Sequence, residues 1–397
     1  MRPRSFVFWC AAVAIASLLG PISPRIHAQR RSQANDDTTS QPATQSGISA
    51  DDNECHGNGC IVPLVDEAAT KSGTSTPAKP YDWKASFAEY KVGKVPRTAD
   101  GKPDLQGIWS RTTLVPIQRL RGQTKKEIDA ATAAKLEDAA QQRQFDLRTE
   151  PTDTPPGEKT TDAYNTFWRD GYWFKVPMTS LRTPQVVDPP DGRLPPLTLA
   201  ARVRQNRAAE LDNSPATGPE DRPLSSRCVR RPGAPGPAFT GSGPGGQEST
   251  LEIIQGTDAV IVRGESLQSQ LIYLDGRPRP PENVHLQMGA ARGHWEGDTL
   301  IVEYTNFSNE EGREKEHLIA RYKRLDDTHL LFGFTTDDPG TRTKPYSVEF
   351  VMWRLTDQEQ LVEYACHEGN VGLEFTLSAA RAKEREEAAE AAKEQGK

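Results

Sequence analysis

The clearest alternation of apolar and polar positions lies in residues 292–307, RGHWEGDTLIVEYTNF. A polar, glycine-containing break at residues 296–298 separates two runs rich in β-branched, aromatic and aliphatic side chains. This pattern predicts a β-hairpin, which is two strands joined by a tight turn. Because side chains alternate across a strand, Leu300, Val302 and Tyr304 are predicted to share one face.

Similar short runs recur at regular intervals after residue 250 and are separated by short turns. Together with the hairpin they predict about nine strands, and hence an antiparallel meander. The expected fold is therefore mainly β, either a barrel or a sandwich, lipocalin-like in outline, preceded by a loop-rich half with a few helices. The other predicted strands are residues 251–255, 259–263, 270–274, 317–325, 329–335, 346–355 and 361–366.

The remainder of the chain contains fewer regular elements. Of its 397 residues only 35% are hydrophobic, while Gly and Pro number 31 each, which favours a large share of loop. Helices are predicted for about residues 124–145 and, capped by Thr198, for residues 198–211. These patterns divide the chain into a loop-rich half (96–246), a β-meander domain (247–378) and a charged helical tail (379–397).

The N-terminus has the features of an export signal. Arg2 and Arg4 precede an apolar run at residues 6–19, and Ala28 offers a cleavage site, so residues 1–28 are predicted to be a signal peptide. The alternative is an uncleaved anchor, although prolines interrupt the run before it reaches membrane length. Residues 29–95 are predicted to be a disordered tether. The mature protein is expected to be exported, periplasmic or secreted, with no membrane span.

Removal of the signal peptide leaves an even number of cysteines, which favours disulfide bonds in an exported protein. Three pairings are open, and we favour Cys55 with Cys60 and Cys228 with Cys366. The alternative for the first pair is a metal site formed with His56.

Aromatic side chains crowd into residues 164–174. They could form a shelf for a sugar or an aromatic ligand, or they could pack the loop-rich half against the β domain. The candidate ligand-binding residues are Tyr164, Trp168, Tyr172 and Trp173.

Two pairs of titratable residues are candidates for catalysis. His294 and Glu296 point the same way on the first hairpin strand, and His367 and Glu368 follow the last predicted strand. If the meander brings the pairs together, they could form a metal site or a general acid/base pair. The alternative is that they are polar strand-end residues bonded to turns and backbone. Phosphate-loop, dinucleotide and metalloprotease motifs are absent from the sequence, and no cofactor is predicted.

Six motifs occur in one order along the chain: PRTADGKPDLQGIWS, DAYNTFW, TSLRTPQVVDPPDGRLPPLT, GPEDRPLSSRC, RGHWEGDTLIVEYTNF and EYACHEGNVGLEF. They resemble an uncharacterised family of exported bacterial proteins, over about residues 96–381. The resemblance implies export and a single unit built from both halves, and it implies no catalytic residue. Relatives carry a His or Arg near residues 267–270, where this chain has LQSQ.

The net charge of −6 and the lack of a basic stripe make nucleic acid an unexpected partner. The leading hypothesis is a non-enzymatic exported protein that binds a small or carbohydrate-like ligand in a β-barrel or cleft. One alternative is a hydrolase or lyase that uses the two His–Glu pairs, with or without a metal. A second alternative is a structural envelope protein. The oligomeric state stays open.

Overall fold

The computed structural model describes residues 81–120, 122–149, 176–222, 226–228, 249–265, 268–308, 312–356, 360–365, 367–368 and 370–395, with only the backbone described at 143–149 and 212–213. All of them belong to the second of two compact units of the chain, residues 47–397. Several predicted features lie outside the described residues: the signal peptide, the tether up to residue 80, Cys55, Cys60, Cys366, Tyr164, Trp168, Tyr172 and Trp173.

The described part of the chain is mainly β, as predicted. Its strands are β1 Gly107–Ser110, β2 Val186–Asp188, β3 Thr250–Gln255, β4 Ala259–Gly264, β5 Ser269–Tyr273, β6 Ala290–Glu296, β7 Thr299–Thr305, β8 His317–Arg324, β9 His329–Asp337 and β10 Tyr346–Arg354. Its α-helices are α1 Trp83–Ala88, α2 Ala130–Thr149, α3 Leu199–Asn213 and α4 Val371–Gln395.

The strands form a closed barrel and not a sandwich. Strands β3 to β10 neighbour one another in chain order, and β1 pairs with both β3 and β10. In β1, Trp109 lies opposite Leu251 on one side and Arg354 on the other. The pairing of β1 with β10 closes nine strands into a ring. The tenth strand, β2, pairs with the N-terminal part of β10, on the same edge where β1 pairs with its C-terminal part.

One pair of neighbouring strands departs from the predicted antiparallel meander. β5 and β6 are parallel, with Tyr273 opposite Arg292. Two parallel neighbours cannot be joined by a tight turn, because the chain must return to the end where the first strand began. Residues 274–289 make this return, and we call them the crossover loop.

The prediction of a strand at residues 361–366 is wrong. Residues 360–365 contain no strand, and Tyr364 N donates a hydrogen bond to Glu265 O at 2.8 Å. No sheet edge remains for such a strand, because β1 and β2 already occupy the free edge of β10. Helix α4 then begins at Val371, earlier than the tail predicted from residue 379.

Both predicted helices are present, but their first and last residues differ from the prediction. Thr198 caps α3, its Oγ1 accepting a hydrogen bond from Ala201 N, as predicted. Helix α2 starts later than predicted, because Asp129 accepts a hydrogen bond from Thr132 N at 2.8 Å and acts as the cap. Among the described residues, no helix has the length and apolar character needed to cross a membrane.

The last part of the predicted tether is ordered. Residues 81–95 are described, and α1 lies within them. Phe87 is 1% exposed and packs with Leu331 and Val351 on the outside of the barrel. The boundary predicted at residue 95 is therefore too late, because aromatic side chains in this segment bury enough surface to order it.

Large side chains fill the interior of the barrel. Alternate residues of each strand point inward, and these are 0–3% exposed. The predicted shared face of Leu300, Val302 and Tyr304 is part of this core. Other members are Val262, Ile272, Phe332, Val348, Phe350 and Met352.

A segment from the loop-rich half covers one end of the barrel. Leu105 is fully buried, and its carbonyl oxygen accepts a hydrogen bond from Trp109 Nε1 at 3.0 Å. The guanidinium of Arg324 lies 4.6 Å from the Trp109 ring centroid, and its Nη1 donates to Asp104 O at 2.7 Å. The barrel is thus a packed core with a covered end, unlike a ligand-holding calyx.

Candidate functional site

The predicted pair His294 and Glu296 stands on the outer face of β6. His294 Nε2 lies 3.2 Å from Glu296 Oε1, so the prediction that the two side chains point the same way is confirmed. Lys84 Nζ lies 3.0 Å from the other carboxylate oxygen of Glu296. Hydrogen bonds from Lys84 and His294 lower the pKa of this carboxylate. With side chains 62% and 39% exposed, the pair is an open surface contact.

His367 and Glu368 lie in a turn that is not beside this pair. Tyr364, which precedes them, is bonded to Glu265 at the C-terminal end of β4. Because β4 is antiparallel to β5 and β5 is parallel to β6, the C-terminal ends of β4 and β6 lie at opposite ends of the barrel. Among the described residues, no three His, Cys, Asp or Glu side chains are placed to hold a metal ion. A catalytic role for either pair stays a prediction.

The structure brings together other titratable side chains in an open groove beside the crossover loop. We call it the crossover groove. Glu282 and His285 come from the loop. Thr305 ends β7 and Asn306 follows it, while residues 314–316 lead into β8 and His317 is its first residue.

Asn306 fixes the crossover loop against the barrel. Its Nδ2 donates to Pro281 O at 2.9 Å and to Val284 O at 3.0 Å, and its own carbonyl accepts from Leu286 N at 2.8 Å. Its φ of 59° lies in the left-handed region, which asparagine tolerates better than most residues. This residue therefore links the end of β7 to the crossover loop by three hydrogen bonds.

The two histidines of the groove have different surroundings. His285 Nδ1 lies 2.9 Å from the carbonyl oxygen of Phe307, so Nδ1 must carry the proton and Nε2 of the neutral ring is an acceptor. His317 Nε2 lies 2.5 Å from Glu303 Oε1, and Glu303 also pairs with Arg279. Burial and the positive charge of Arg279 lower the pKa of His317.

Two glutamates of the groove differ in their surroundings. Glu316 has a side chain only 5% exposed, accepts a hydrogen bond from Thr336 Oγ1 at 2.9 Å and pairs with Arg313. Burial raises the pKa of Glu316, although Arg313 opposes the shift. Glu314 Oε2 is shielded from solvent and accepts no hydrogen bond from a described residue.

A scan of protein-family models, a search of curated proteins and a search of solved structures found no match to this chain. The resemblance to an exported bacterial family stays an expectation.

Neither histidine of the groove was among the predicted site residues. His317 begins a predicted strand and His285 lies in a proline-rich loop, more than thirty positions earlier. Their convergence depends on the path of the crossover loop, which follows from the parallel pairing of β5 and β6. The one local signal was the density of titratable residues at the start of β8, residues 313–317.

The raised pKa of Glu316 predicts a pH-dependent contribution to stability. Between the ordinary glutamate value of about 4.3 and the raised value, the folded state binds more protons than the unfolded state. The contribution of Glu316 to the free energy of unfolding should therefore fall as pH rises through this window. Urea denaturation of the wild type and of Glu316→Gln at several pH values measures this contribution. As pH rises, the free energy of unfolding of the wild type should fall relative to that of Glu316→Gln.

Asp298→Asn is the matched control, because the hydrogen bond from Arg97 lowers the pKa of Asp298. The contribution of Asp298 to the free energy of unfolding should change with pH in the opposite direction, so that it is lost as pH falls. A difference between wild type and Glu316→Gln that does not change with pH would contradict the assignment.

Proposed function

We propose that this chain is an exported, non-enzymatic binding protein that holds a small polar ligand in the crossover groove. The filled interior supports a site outside the barrel, because inward side chains occupy the space that a ligand would need. The groove supplies several polar groups that converge from three segments, as binding sites do. The hydrolase or lyase alternative and the structural alternative stay predictions.

The charges of the groove favour a ligand with hydrogen-bond donors and a positive charge. The groove is lined by the carboxylates of Glu282 and Glu314 and by one ammonium group, that of Lys315, while the buried Glu316 is already paired with Arg313. The observation that carries the proposal is the shielded Oε2 of Glu314, an acceptor without a donor among the described residues. Leaving such an acceptor unsatisfied costs about 1–3 kcal/mol, and rotation of the Glu314 side chain toward the groove would let a ligand N–H or O–H offset that cost. An amino sugar or a similar polyhydroxylated amine fits this chemistry.

Isothermal titration of the mature protein with glucosamine, and with glucose as the neutral analogue, tests the proposal. Glucosamine should bind more tightly than glucose, because only glucosamine brings an ammonium group to the carboxylates. Glu314→Gln should weaken glucosamine binding about 10-fold to 100-fold, the usual value of one hydrogen bond to a charged group.

Glu296→Gln is the control for this titration, since it removes an exposed carboxylate from the hairpin and leaves the groove intact. It should leave the affinity unchanged. Equal losses in Glu314→Gln and Glu296→Gln, or no binding of either sugar, would rule out the groove as the site for this class of ligand.

Export is part of the proposal, and one contact supports the pairing of Cys228 with Cys366. Asn370 Nδ2 lies 3.3 Å from Cys228 Sγ and donates to Ser226 O at 2.9 Å. This places the chain just after Cys366 beside Cys228. A bond between these cysteines would tie the start of α4 to the loop-rich half, and closing so long a loop stabilises a fold by about 4–5 kcal/mol in the chain-entropy model.

Peptide mapping of the mature protein without reduction tests both export and the pairing of Cys228 with Cys366. Its N-terminus should be Gln29, and the peptides containing Cys228 and Cys366 should be joined. Cys228→Ser should lower the free energy of unfolding by a few kcal/mol, and reduction of the wild type should do the same. Free thiols at both positions in protein purified from the periplasm or the medium would show the pairing to be wrong.

A further inference from the structure

Residues 81–90, which we call the strap, lie across the outer face of β8, β9 and β10. Phe87 from α1 enters a depression, the socket, formed by Leu325, Leu331, Gly333 and Val351. A Cβ added at Gly333 would lie 2.9 Å from Phe87 Cζ. The socket therefore exists because residue 333 has no side chain, and its shape is specific for the aromatic ring it receives.

Polar groups at the edge of the socket complete the recognition of the strap. The side chain of Glu349 is fully buried, and its carboxylate accepts a hydrogen bond from the Tyr81 hydroxyl. Arg182 Nη1 lies 3.3 Å from the other oxygen of Glu349. The guanidinium of Arg321 lies 5.4 Å from the ring centroid of Trp83. The buried carboxylate thus has a phenol from the strap and a guanidinium from the body as partners.

The strap is held by side chains and does not belong to the barrel sheet. Its main-chain hydrogen bonds from Ser86 N to Asp82 O and from Glu89 N to Ser86 O are internal. Within the described residues, the first main-chain bond from this region to the barrel is that of Gly93 N to Leu325 O, at 2.8 Å. Residues 91–96, which follow the strap, have neither helix nor strand. The strap can therefore leave the socket without breaking a strand pairing.

We propose that the socket also binds the strap of a second copy of this chain, giving a dimer by strap exchange. Every contact that the socket makes with the strap in one chain is available to an identical strap from another chain. Within one chain the short connection to the barrel keeps the strap at a high effective concentration, so the closed monomer predominates when both parts are intact.

Two full-length variants separate the strap from the socket. Phe87→Ala has an intact socket and a strap without its anchoring ring. Gly333→Val has an intact strap and a socket filled by the new side chain, and valine suits a β-strand. Gly333→Ala is a smaller replacement that blocks the same space. Cooperative thermal unfolding of each variant shows first that its barrel is folded.

Light scattering after size exclusion, on each variant alone and on an equimolar mixture, tests the exchange. Each variant alone should be a monomer, and the mixture should form a one-to-one dimer, because only the mixture contains a competent strap and a competent open socket. Two folded monomers that stay apart on mixing would overturn the proposal. Dimerisation of Phe87→Ala alone to the same extent would also overturn it, since that variant has no ring to exchange.

Discussion

The structure depends on the pairing of β1 with β10. Without it, β3 to β10 would be an open sheet with two exposed edges and an uncovered apolar face. Four residues of the loop-rich half, Gly107–Ser110, close the ring, and Trp109 delivers a fully buried indole to the core at the same point. The two halves of the chain are therefore one folding unit. The barrel cannot close without residues from the first half.

Closure and filling together leave the outer surface as the location of the proposed site. Because the interior is occupied by side chains such as Phe332 and Tyr304, the chemistry accessible to solvent lies where segments cross the outer surface. The crossover loop and the strap are two such segments. The loop exists because β5 and β6 are parallel, and it forms a groove with the segment before β8. The strap covers a depression on the outer face of β9 and β10, centred on Gly333.

The sequence predicts the second half of the chain well, because each strand there alternates clearly and is bounded by turn residues. Six strands outside the hairpin agree with the structure to within two residues at each end. β1 and β2 are four and three residues long, too short for alternation to be recognised. The neighbouring side chains of His294 and Glu296 follow from strand geometry alone. The groove does not, since the approach of His285 to His317 depends on the path of a loop between parallel strands.

The central claim is that ligands bind to the outside of a solid barrel. Methyl-resolved NMR of the mature protein during an amino-sugar titration tests it most directly. The methyl group of Thr305, which lines the groove, should shift, while those of Val302 and Leu330, fully buried inside the barrel, should not. Shifts concentrated on Val302 and Leu330, with Thr305 unchanged, would show that the ligand enters the barrel and would contradict the account.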